Sequence, residues 1–81
     1  MNLYLVTNTT AKIDQFDAMV VAATTPENAV KLHPAGVNGW QNEAITKVWT
    51  TDTTTALTCV HIGTAKRGTR TGILLASFNA G

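Results

Sequence analysis

Apolar and polar positions alternate from the start of the chain. In Asn2 to Thr7 (N-L-Y-L-V-T), Leu3 and Leu5 share one face of an extended segment and Tyr4 and Val6 share the other. That pattern predicts a first strand with neither face fully solvated. Asn8 to Gln15 is polar and connecting. Phe16 to Ala23 (F-D-A-M-V-V-A-A) predicts a second strand, and its later half is apolar on both faces, as in a central, covered strand. Helix punctuation follows. Either Thr25 caps a helix with Pro26 at its first position, or Thr24 caps it with Glu27 completing a capping box. Ala29, Val30 and Leu32 form a short apolar stripe, and Pro34 ends it near His33. About two turns result, too few to persist without packing on a sheet.

His33 to Glu43 reads as loop, punctuated by Pro34, Gly36 and Asn38-Gly39. Ala44 to Thr50 is a short candidate strand with poor alternation, and Thr51 to Thr55 is a polar turn. Leu57 to Ala65 and Gly72 to Phe78 are strong strand patterns, joined by Lys66 to Thr71 as a hairpin tip. The expectation is one α+β domain over residues 1–81. It is a small, mostly antiparallel sheet of four or five strands with one short helix on one face, in the order β-β-α-β-(β)-β. Strand order in the sheet stays open, because short Thr-rich turns fix register weakly.

Size sharpens this picture. An 81-residue core supplies few kilocalories unaided, and folds this small lean on disulfides, a metal or self-association. Cys59 is the single cysteine, and with His33 and His61 alone the ligand count for structural zinc is not met. A homo-oligomer is therefore expected. Residues 71–81 carry no charge, so they read as a buried or interfacial strand, with Ile73, Leu75, Phe78 and Asn79 as interface candidates. Six Lys/Arg against five Asp/Glu argue against generic DNA or RNA binding, which needs a basic excess. Charged residues make up only 14% of the chain, and 15 threonines fill the gap, which favours strands. No signal-peptide pattern and no run long enough to span a membrane is visible, so a cytoplasmic protein is expected. Asn8-Thr9-Thr10 fits a glycosylation sequon, which Thr abundance explains by chance.

Catalytic constellations are sparse. Cys59 and His61, at i and i+2 of a strand, share a face, but stand about 6.5–7 Å apart, too far for a nucleophile–base hydrogen bond. Asp14 and Asp17 flank a strand entry, where turn chemistry explains them as well as an acid–base or metal role does. No glycine pattern matches a phosphate loop. The expectation is no enzyme and no cofactor. Lys66, Arg67 and Arg70 concentrate half of the cations within five residues, with Gly68 for freedom and Thr69 and Thr71 as hydroxyl donors. That set suits an anion, and it equally suits a solvated tip. Trp40 and Trp49 either plug the core or offer stacking faces. His33 either packs at the helix end or lines a pocket with Trp40.

Several of these segments together resemble a family of small tailed-phage proteins. The segments are Asp14 to Ala23, His33-Pro34-Ala35-Gly36, Trp40 and Trp49, and Gly63 to Gly72 running into Ile73 to Gly81 with its L-A-S-F-N-A-G ending. Arg67 departs from that pattern. The resemblance implies a phage accessory protein acting in the host cytoplasm, with no established activity. Of the binding roles open to such a protein, one is to sequester a phosphorylated nucleotide messenger in pockets of a homo-oligomer. Its phosphates would meet Lys66, Arg67, Arg70 and Thr71, and its base Trp40 or Trp49, beside His33. The alternative is a protein that binds and inhibits a host protein, or a structural accessory factor.

Overall fold

The computed structural model describes residues 1–36, 39–41, 48–50 and 56–79. Four strands form one antiparallel sheet: β1 (Asn2–Asn8), β2 (Gln15–Ala23), β3 (Leu57–Thr64) and β4 (Gly72–Asn79). Their order across the sheet is β3-β1-β2-β4. A five-residue helix, α1 (Pro26–Val30), and a single 3₁₀ turn at Gly39–Gln41 lie between β2 and β3. The α+β architecture thus holds, with four strands among the described residues. Of the candidate strand at 44–50, residues 44–47 lie outside the described residues, and Val48–Thr50 form turn rather than strand.

The alternation read from sequence sorts side chains onto two faces. Tyr4 pairs with Val21 and Val6 with Met19, and all four are buried on the helix side. Ala23, Ala29 and Trp49 complete the buried cluster, with Phe16, Leu32, Trp40, Leu57, Ile73 and Ala76 packed around it. The second strand is central, as its two-sided apolar half predicts.

One expectation fails. The segment joining β3 to β4 is not a hairpin tip, because β3 and β4 occupy opposite edges of the sheet. Residues 65–71 instead cross over the ends of the two central strands. The Ala65 N–H donates to the Met1 carbonyl at 2.8 Å, and the Thr71 hydroxyl reaches the Met1 sulfur at 3.6 Å. A tight turn within the crossover explains the hairpin-like sequence. The Thr69 N–H and hydroxyl both donate to the Lys66 carbonyl, and Gly68 sits at φ +90°, which favours glycine. A turn signal says where the chain reverses, not which strands it joins.

Local chemistry accounts for the remaining joints. The Thr25 hydroxyl accepts the Asn28 N–H at 3.1 Å with Pro26 at the first helical position, which decides between the two capping schemes. The helix is shorter than the stripe implied, and closes with i→i−3 bonds from Lys31 and Leu32. Asn8 is buried: its amide donates to the Trp49 carbonyl at 2.8 Å, and its oxygen accepts the Thr10 N–H and hydroxyl. The sequon asparagine is therefore a structural clamp with no side-chain surface to offer.

Candidate functional site

A hollow forms where the exit of α1 meets the start of β4. His33-Pro34-Ala35-Gly36 is a β-turn: the His33 carbonyl accepts the Gly36 N–H at 2.9 Å, with Pro34 at the second position. Gly36, at φ +108°, then redirects the chain, and its carbonyl accepts the Gly39 N–H at 3.0 Å. The His33 Nδ1 accepts the Ala35 N–H at 3.0 Å, which fixes the imidazole within its own turn. Gly39 is required here because a methyl group at that position would run into the His33 ring.

This turn delivers Trp40 to a defined place. Its indole N–H donates to the Lys31 carbonyl at 2.7 Å, satisfying an acceptor at the helix end. Its ring meets His33 edge-on, with centroids 4.8 Å apart and an interplanar angle of 88°. Trp40 is both a core-edge plug and a cleft wall. On one side lies a cleft of about 320 Å³, whose walls include Lys31, Gly36, Trp40, Thr71, Gly72 and Ile73. On the other is a hollow lined by Glu27, Val30, Lys31 and Trp40.

The structure brings together Trp40, His33 and Thr71 from the sequence-based set. It adds Lys31, a cation that no motif marked and that only the fold carries to the cleft. Arg70 precedes Thr71 on the exposed crossover, and Lys66 and Arg67 sit at the Gly68 turn; none of the three is among the cleft-lining residues. Two expectations need correction. Trp49 is fully buried in the core, so its ring face is not available to a ligand. His33 is 2% exposed, so it supports the cleft wall from behind.

The interface candidates also divide. Ile73 packs against the core, and Phe78 meets Phe16 edge-on on the helix side with centroids 5.0 Å apart. Leu75 pairs with Val20 on the opposite face. Bulges in the β2–β4 ladder, with Asp17 and Leu74 as the extra residues, re-aim the strand and spoil simple alternation. The Asn79 side chain lies outside the described residues.

Other candidate chemistry is disfavoured by its surroundings. Burial pushes the Cys59 thiol up, and the Glu27 carboxylate adds to this, the opposite of an activated nucleophile. His61 turns to Tyr4, with rings 5.5 Å apart. Asp14 occupies the left-handed position of the Lys12–Gln15 turn at φ 65°, a conformation aspartate tolerates. Among the described residues no group of three potential metal ligands exists, and no helix is long and apolar enough to cross a membrane. No family model, curated protein or solved structure matches this chain.

Proposed function

We propose that this chain is a non-enzymatic phage accessory protein that binds and sequesters a phosphorylated nucleotide messenger as a homo-oligomer in the host cytoplasm. The observation that carries the reading is the cleft between the Trp40 ring and the Thr71–Gly72 backbone, with Lys31 at its wall. Its volume of about 320 Å³ lies within the range of small-molecule sites. The indole supplies a face for a base. Lys31, the Thr71 hydroxyl and the neighbouring Arg70 supply what a phosphate requires. Glu27 lines the second hollow and not the Thr71-side cleft, so an anion is steered to the Thr71 side. The phage context comes from the sequence resemblance, and the messenger class from the chemistry of the basic, hydroxyl and tryptophan side chains.

Calorimetry of the purified protein against cyclic and ADP-ribose-type nucleotides tests this reading. Binding in the nanomolar to micromolar range is expected. Arg70→Gln and Lys31→Met should each weaken it about tenfold or more, since a charge-assisted hydrogen bond contributes roughly 1.5–3 kcal/mol. Absence of heat across the panel removes the proposal. A second reading, inhibition of a host protein, draws on β4, which is an edge of the sheet among the described residues and carries the exposed Leu74, Leu75 and Phe78. A stoichiometric partner captured from host lysate and lost in a β4-edge variant would favour it.

A further inference from the structure

On the sheet face opposite α1 an apolar row stands partly open to solvent, and its pattern is regular. Val60, Leu5, Val20 and Leu75 pair side by side and run as one apolar row across all four strands. Val60 and Leu75 remain 54% and 68% exposed. Thr58, Thr7, Ala18 and Ser77 form the next row. A shallow groove of about 150 Å³ runs between the rows, with Leu5, Ala18, Val20, Leu75 and Ser77 in its walls.

We propose that a second copy of this chain covers this face, giving a two-sheet sandwich. Three features select that occupant. First, neither row contains a charged residue, so a two-fold axis through the face brings no like charges together, and a charged partner would find nothing to pair with. Second, the polar groups of the rows are hydroxyls, and each is both donor and acceptor. A hydroxyl row can therefore satisfy its own image. Third, the area suits a weak, reversible pair. Four strands about 4.8 Å apart and seven residues of about 3.3 Å rise cover roughly 19 by 23 Å, or about 440 Å². A pair removes about 900 Å² counted flat, close to the ~1,000 Å² at which specific interfaces begin. Just short of that size, the pair is a weak, reversible dimer. The pairing deepens the homo-oligomer of the proposed function, while the two Trp40 clefts lie on the outer, helix-bearing sides, so ligand binding and pairing fail separately.

Sedimentation of the full chain between roughly 1 and 300 µM tests the pairing without any variant. A monomer–dimer equilibrium is expected, and a monomer throughout the range overturns the proposal. A monomer whose open face becomes protected only on adding lipid vesicles or a host protein overturns it equally. Val60→Lys and Leu75→Lys should each raise Kd at least 30-fold while leaving the circular dichroism of dilute protein unchanged. His61→Lys, adjacent to Val60 but on the helix side, should leave Kd within threefold. If His61→Lys dissociates the pair as strongly as Val60→Lys, the contact is the strand edge and the face proposal fails. Arg70→Gln, on the exposed crossover outside both rows, should leave the sedimentation profile unaltered.

Discussion

Replacing Asn8 by alanine should cost far more than its position in a polar, Thr-rich stretch suggests. The side chain is 4% exposed and makes three hydrogen bonds, of which the 2.8 Å bond to the Trp49 carbonyl is buried. Truncation leaves that carbonyl without its donor, a loss of about 1–3 kcal/mol. Thr10 is exposed, so its two donors turn to water at small cost. The segment carrying Trp49 is also released from the end of β1, which brings the expected total to about 2–4 kcal/mol. A chain of 81 residues has roughly 4–12 kcal/mol in all, so Tm should drop by about 10–25 °C. Urea unfolding followed by tryptophan fluorescence measures this directly, because Trp49 moves from full burial to water. Thr10→Val, which removes only the exposed hydroxyl bond, serves as the comparison and should cost about 0.5 kcal/mol or less. Equal effects of the two substitutions, or an Asn8→Ala cost under about 0.5 kcal/mol, would falsify the clamp assignment.

Gly39 and Cys59 give two further outcomes. Gly39→Ala should destabilise by about 1–3 kcal/mol and alter the near-ultraviolet signal of Trp40, because the new methyl displaces the His33 ring that Trp40 packs on. A neutral substitution would show that His33 and Gly39 are not in close approach. The raised Cys59 thiol predicts a pH effect of definite sign. The folded state holds the proton more tightly than the unfolded chain, so the Cys59 contribution to stability is constant below about pH 8 and is lost as pH rises past the unfolded thiol value near 8.5. Cys59→Ala should flatten that decline in urea titrations between about pH 8 and 9.5, and an unchanged slope in the variant would assign it to other groups.

The strands and the helix start were legible because each rests on local chemistry. Alternation in Leu3 to Val6 and the Thr25-Pro26 pair need only neighbours to act, and their elements appear within a residue or two of expectation. Sheet order was not legible. Lys66 to Thr71 contains a genuine tight turn, and nothing in those residues reveals that the strands on either side are separated by β1 and β2. The candidate site shows the same division. The His33 to Gly36 turn and Trp40 could be picked out from residue type alone. Lys31 could not, since only the helix exit and the crossover bring it beside Thr71. Trp49 was ambiguous by composition and is settled by its burial under the Asn8 clamp. Bulges hid the division of Ile73 and Leu75 between faces, because a one-residue insertion reverses every later assignment.

The strand order has a kinetic consequence. Only the β1–β2 pair joins neighbours in the chain. Both outer strands must be recruited from a distance, and the Asn8–Trp49 bond spans 41 positions. Loops of that length close against chain entropy before any contact rewards them, so such topologies reach the native state in milliseconds to seconds rather than microseconds. During that interval the central hairpin stands with both of its edges unsatisfied. Expression yield should therefore be governed by temperature and concentration during synthesis more than by final stability.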